Sequence, residues 1–237
     1  MQDKILNFYP MKMKPHLKNY LWGGKRLEIL NKCNNLKAIA ESWELSTNKN
    51  GKSIISNGFY KGNYLSNVIS KFPEQFLGDI QVHYLPIIVK FIDAEQNLSI
   101  QVHPSDLDNS LGCEIKGKSE MWYIVDCKPG SYIYCGFNKD TTPEEVKERA
   151  ENGTICDILN KVQVKKGNSF FIPAKTIHAL GAGNLVAEIQ QNSDSTFRIY
   201  DYKRKDNDGN LRKLHLDQAI NVLNFKKTNI NDLKQDN

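Results

Sequence analysis

The sequence predicts a mainly β domain, a sandwich or barrel carrying a few short helices. Two observations lead there. Turn signals recur along the chain, at Asn50-Gly51, Asn57-Gly58, Asn152-Gly153 and Asp208-Gly209. Between many of them lie short runs with strand character: SIIS, LPIIVKFID, LSIQVH, EMWYIVD, SYIYCGF, SFFIP and LVAEIQQ. Numerous short strands punctuated by such turns are the pattern of an all-β fold. The near-continuous apolar stretch from Leu85 to Ile92 further implies strands covered on both faces.

Three segments read as helix. Residues 63–72 place Leu65, Val68, Ile69 and Phe72 at helical spacing, with Pro73 as the stop. Thr142-Pro143-Glu144-Glu145 forms a capping box with proline at the first helical position, and Gly153 closes that segment. Residues 216–225 form a short amphipathic stretch. Residues 226–237 are polar and are expected to fray.

Composition narrows the function. The 237 residues are 40% apolar and 25% charged, an ordinary globular balance that one all-β domain can use. A net charge of +5 is dispersed, and the densest basic run, Lys203-Arg204-Lys205, is answered at once by Asp206 and Asp208. Nucleic-acid binding needs a concentrated basic stripe, so it is not expected. A mild positive excess suits a phosphorylated small substrate. No apolar run approaches the ~18 residues that span a bilayer, and Met1 to Pro10 lacks the apolar core of a signal peptide. Cys33, Cys113, Cys127, Cys135 and Cys156 show no CxxC spacing, which points to idle thiols in a reducing cytoplasm.

The chemistry gathers in four residues. Gln101 and His103 lie two apart on a strand-like run and therefore face the same way, with Pro104 ending the run. Glu120 opens the next run, and His178 follows the stretch GNSFFIP. Taken singly, each has an ordinary explanation: a surface or capping histidine before proline, a solvated carboxylate, a satisfied core histidine. Together, two imidazoles, a carboxylate and an amide oxygen suit zinc, with iron and manganese as alternatives.

Residues 167–178, a glycine, then Pro173, then His178, resemble the second motif of the cupin superfamily, with Lys175 where that motif usually has glycine. The first half departs from a typical cupin: Gln101 replaces the first histidine of HxH, and Glu120 comes much later. That combination resembles the type I mannose-6-phosphate isomerases. So do Leu21-Trp22-Gly23-Gly24, Glu41-Ser42-Trp43-Glu44, the run from Leu85 to Asp93, and the run from Glu188 to Arg198. The likeness covers roughly residues 5–225.

The resemblance implies a jelly-roll-like cupin β-barrel with one zinc ion per chain, held by Gln101, His103, Glu120 and His178. It places the family's active-site arginine on Arg198, its lysine on Lys118 and an acidic pocket residue on Glu188. Ser99 matches a serine that meets the substrate phosphate, which Arg198 and Ser99 would hold with Lys90 or Lys175 as further candidates, and Asp194 also falls on the substrate side. The implied reaction interconverts mannose 6-phosphate and fructose 6-phosphate through an enediol. Zinc and Arg198 would stabilise developing charge and Lys118 would assist proton transfer or ring opening, with Glu188 or a water on the zinc as alternative bases. Two other readings remain open: a silent sugar-binding cupin, and another cupin metalloenzyme such as an iron oxygenase. Residues 1–225 are expected to form one catalytic domain. The β-rich region that usually follows in the family is not found before Asn237, so the chain is either shortened or naturally minimal, and a homodimer is one way to cover exposed sheet.

Overall fold

The computed structural model describes residues 9–30, 38–80, 82, 84–108, 116–205 and 209–235. Cys33, Cys113, Asp206 and Asp208 lie outside them, as does most of the segment from Met1 to Pro10. In chain order the strands are β1 (Met13–Lys14), β2 (His16–Lys18), β3 (Glu41–Leu45), β4 (Ile54–Ile55), β5 (Ile87–Ala94), β6 (Ile100–Val102), β7 (Glu120–Cys127), β8 (Tyr132–Phe137), β9 (Leu159–Gln163), β10 (Ser169–Ile172), β11 (His178–Leu180), β12 (Asn184–Gln191), β13 (Phe197–Tyr200) and β14 (Lys234–Gln235). The helices are α1 (Leu65–Lys71), α2 (Pro73–Leu77), α3 (Pro143–Asn152) and α4 (Leu216–Val222).

Seven strands form one sheet in the order β14-β10-β7-β12-β5-β3-β2, and five form a second in the order β13-β6-β11-β8-β9. All pairings within them are antiparallel. The two sheets face each other across a core that joins Ile92, Trp122, Ile124, Phe170 and Val186 of the large sheet to Ile133, Cys135 and Leu180 of the small one. Hydrogen bonding does not close them into a single continuous barrel; the cupin architecture is a pair of facing sheets. Period-two alternation sends Ile100, Val102, Ala179, Phe197 and Ile199 to the other side of the small sheet. There they pack against Val146 and Ala150 of α3 and Ala219 and Val222 of α4. The helices thus stiffen the sheet that carries half of the site.

Every run with strand character forms a strand, and each helical segment contains a helix. α1 buries Leu65, Val68 and Ile69 as its spacing requires. Pro73, expected as a stop, instead opens α2 as its first residue, after Phe72 leaves helical geometry at φ −135°, ψ 54°. The last helix ends at Val222, short of Phe225. The polar tail does not fray as far as residue 235: Thr228 N–H donates to Phe137 O at 2.9 Å, Leu233 is buried, and β14 pairs with β10. Among the described residues no helix is long and apolar enough to cross a membrane, and Cys127, Cys135 and Cys156 are free thiols.

Candidate active site

Strand register builds the site as two facing rows. On the small sheet, Arg198 pairs with Gln101, Gln101 with His178, and His178 with Cys135. On the large sheet, Trp122 pairs with Glu188, Glu188 with Lys90, and Lys90 with Trp43. Cross-strand partners share a face, so each row presents its side chains to the space between the sheets. His103 lies two residues beyond Gln101 and Glu120 two before Trp122, which adds both to the same faces.

Ligand atoms of His103, Glu120 and His178 lie within 4.8 Å of one another, and all three residues are buried. His103 Nε2 is 3.3 Å from Glu120 Oε2, and His178 Nε2 is 3.4 Å from Glu120 Oε1. The tautomers follow from the neighbours. His103 Nδ1 is 2.9 Å from Ser195 O and His178 Nδ1 is 2.8 Å from Thr176 O. A carbonyl oxygen can only accept, so each Nδ1 carries its proton and each Nε2 offers a lone pair to the cluster. This is how metal-binding histidines are oriented from behind. Burial first, then the Lys118 charge, pushes the His103 pKa down to about 3, and burial lowers that of His178. Burial opposes ionisation of Glu120, but Lys118 and the two histidines hold its carboxyl well below the usual range. Two neutral imidazoles and one carboxylate result.

Gln101 completes the group. Its Nε2 is 3.4 Å from His178 Nε2, and its Oε1 accepts from Ser99 Oγ at 3.3 Å. A half-turn of the amide presents the oxygen instead. This donor set fits zinc. The buried Lys118 ammonium sits 2.8 Å from both His103 Nε2 and Glu120 Oε2. Lys118 also lines the adjoining cavity.

The cavity has a volume of about 290 Å³, and Gln101, Ser99, Lys118, Glu120, Lys90, Glu188, Asp194 and Arg198 all line it. Its floor is an ion-paired layer. Lys90 lies 3.0 Å from Glu188 and 3.5 Å from Glu41, and Trp122 Nε1 donates to Glu188 Oε2 at 2.9 Å. Burial alone would lower the Lys90 pKa, but Glu188, Glu41 and Glu120 raise it, so it stays charged. Burial and the Glu120 charge raise that of Glu188 against the pull of Lys90 and Lys118. The Asp194 carboxylate accepts from the Asn50 amide. Lys175 is not part of the lining; its Nζ is 3.0 Å from Asp108. Sequence reasoning missed Glu41, Trp122 and Arg212 on the wall. The first two stand in strands, where a period-two reading could have placed them. Arg212 comes from a loop and leaves no such signal.

Comparison with known proteins identifies the family. Residues 11–129 match the family described as phosphomannose isomerase type I, catalytic domain. The mannose-6-phosphate isomerase ManA of Bacillus subtilis (strain 168) is 40% identical over 216 residues, which span 90% of this chain and 68% of that protein. The crystal structure of the mannose 6-phosphate isomerase from Bacillus subtilis superposes with a TM-score of 0.84 at 34% identity, covering 91% of this chain and 68% of that one. A zinc-bound mannose 6-phosphate isomerase shares the fold at a TM-score of 0.70 and 17% identity, covering 94% and 76% of the two chains. On the family match and the 40% identity together, the chain belongs to the type I phosphomannose isomerase family.

Proposed function

We propose that the protein is a zinc-dependent aldose–ketose isomerase that interconverts mannose 6-phosphate and fructose 6-phosphate through an enediol. The observation that carries this reading is the cluster of His103, Glu120 and His178 beside a polar cavity lined by Gln101, Lys118, Glu188 and Arg198. Gln101, His103, Glu120 and His178 would hold one zinc ion, which when bound supplies Lewis-acid stabilisation of negative charge on the sugar oxygens.

The remaining work falls to the chain. Moving a proton between C1 and C2 of the open-chain sugar develops negative charge on oxygen, and preorganised cations aimed at that charge lower the barrier most. Lys118, on the cavity wall beside the metal ligands, would serve that charge, while Arg198 on the same wall would hold the phosphate of the substrate. Lys118 also has a proton to give for ring opening or transfer. Glu188, whose carboxyl is raised above its ordinary value by burial and the Glu120 charge, can take or return one. Ser99 and Asp194 line the same cavity and would contact the substrate, and the buried Lys90 fixes Glu188. Residues 1–225 act as one catalytic unit in this reading.

A coupled assay following conversion of mannose 6-phosphate to fructose 6-phosphate, with and without chelator, tests it. Turnover that disappears with chelator and returns with zinc is expected; zinc-loaded protein without turnover would overturn the reading. Metal analysis separates zinc from iron. His103→Ala should lose metal and activity together, whereas Arg198→Ala should lose activity with metal retained.

A further inference from the structure

The four cations on the cavity wall are not equivalent. Lys90 is held by Glu188 and Glu41, and Lys118 by Glu120. Arg198 has no carboxylate partner among the described residues. Its Nη1 donates to the backbone Lys213 O at 2.7 Å, and its buried Nε has no hydrogen-bond partner. Arg212 lies beside it. Arg212 Nη1 is 3.3 Å from Asp201 Oδ1 and 3.4 Å from Oδ2, but that buried carboxylate is shared with Arg204. Arg204 and Arg212 therefore share one carboxylate and none is left for Arg198, while Asp194, the other acid on this side, is engaged by Asn50.

The approach of Arg212 to Arg198 is built into the backbone. His215 N–H donates to Arg198 O at 2.7 Å, Arg198 N–H donates to His215 Nδ1 at 3.2 Å, and Arg198 Nη1 reaches Lys213 O. These bonds lay residues 211–215 along β13 and carry the Arg212 side chain, 20% exposed, to the cavity wall. The guanidiniums feel one another: burial and then the Arg212 charge lower the pKa of Arg198. Two like charges held together in a partly buried wall repel unless an anion joins them.

We infer that Arg212 is a specificity-determining residue: together with Arg198 it clamps the phosphate of the substrate and sets the preference for phosphorylated over free hexose. The inference rests on the isomerase reading for the identity of the sugar, but not for the anion. A phosphate brings close to two negative charges and forked acceptor oxygens that two guanidiniums match in geometry. A sugar hydroxyl offers neither.

Zinc-loaded wild type, Arg212→Ala and Arg212→Lys would be compared in the isomerase assay and in binding of mannose 6-phosphate, mannose and inorganic phosphate. Trp22 and Trp122 in the cavity wall serve as fluorescence reporters. Loss of a charge-assisted contact predicts a KM for mannose 6-phosphate raised about 10- to 100-fold in Arg212→Ala, with kcat changed far less. Binding of inorganic phosphate should weaken in step, binding of mannose should not, and metal content should match wild type. Arg212→Lys, which keeps the charge and loses the fork, should recover part of the loss and serves alone if the alanine variant does not fold. Unchanged KM and phosphate binding would overturn the inference, as would equal weakening of mannose and mannose 6-phosphate. Should the wild type bind phosphate through Arg212 yet catalyse no isomerisation, the clamp stands and the isomerase reading falls.

Discussion

Glu188 shows how a single residue is held. One carboxylate oxygen accepts from Trp122 Nε1 and the other lies 3.0 Å from Lys90 Nζ, with all three side chains buried. Replacing Trp122 by phenylalanine keeps most of the ring packing against His178 and removes one donor. A buried acceptor left without its partner costs about 1–3 kcal/mol, so the urea midpoint of Trp122→Phe should fall accordingly; an unchanged midpoint would show that the bond contributes nothing. The residue scale is also where the sequence spoke most clearly. Gln101 and His103 could be placed on one face because side chains alternate along a strand. Lys175 could be recognised as a departure, and its φ of +73° shows what glycine would serve there. A left-handed lysine costs about 1–2 kcal/mol, and its ion pair with Asp108 offsets part of that. Arg212 could not be read, because only tertiary hydrogen bonds bring its loop to Arg198.

Among the elements, α3 follows its sequence signals most closely. Thr142 Oγ1 accepts from Glu145 N–H at 3.2 Å, Pro143 is the first helical residue, and Gly153 ends the helix in the left-handed region at φ +85°. Thr142→Ala removes one cap and should lower stability by about 1 kcal/mol. That is measurable as a shifted denaturation midpoint with no change in metal content, since α3 packs on the face of the small sheet away from the cavity. A loss of metal in that variant would contradict the separation of faces. Long, periodic elements such as β5, β7 and β12 were legible. Two short ones were not: β11 carries His178 on three residues and β13 carries Arg198 on four. Neither is long enough to display a period. Pro73 misled for a related reason, since a proline ends one helix by the same geometry with which it starts another.

At the scale of the whole molecule, one buried pair ties distant segments together. Arg26 contacts Asp93 through Nε at 2.8 Å and through its own backbone N–H at 2.8 Å, and its Nη atoms donate to Gly183 O and Asn184 O. The N-terminal segment is thereby fastened to the ends of β5 and β12. Gly24 has no room for more, since a Cβ there would fall 2.3 Å from Asp93 Oδ2. Asp93→Ala would leave Arg26 without its counter-ion. Breaking a buried pair costs about 3–5 kcal/mol, and the 17% exposure of Arg26 places the expected loss at the lower end. A midpoint within error of wild type would show that the fastening is dispensable. Strand order was beyond the sequence, because which strands become neighbours is decided by the joint packing of all of them. The two facing rows carry a genetic consequence. A substitution alters one rung, but deletion of a single codon within β5 or β12 would turn every later side chain of that strand to the opposite face. Lys90 or Glu188 would then leave the cavity along with its neighbours. Drift in this lineage should therefore spare strand length even where strand composition varies, and confine gained or lost codons to the connecting loops.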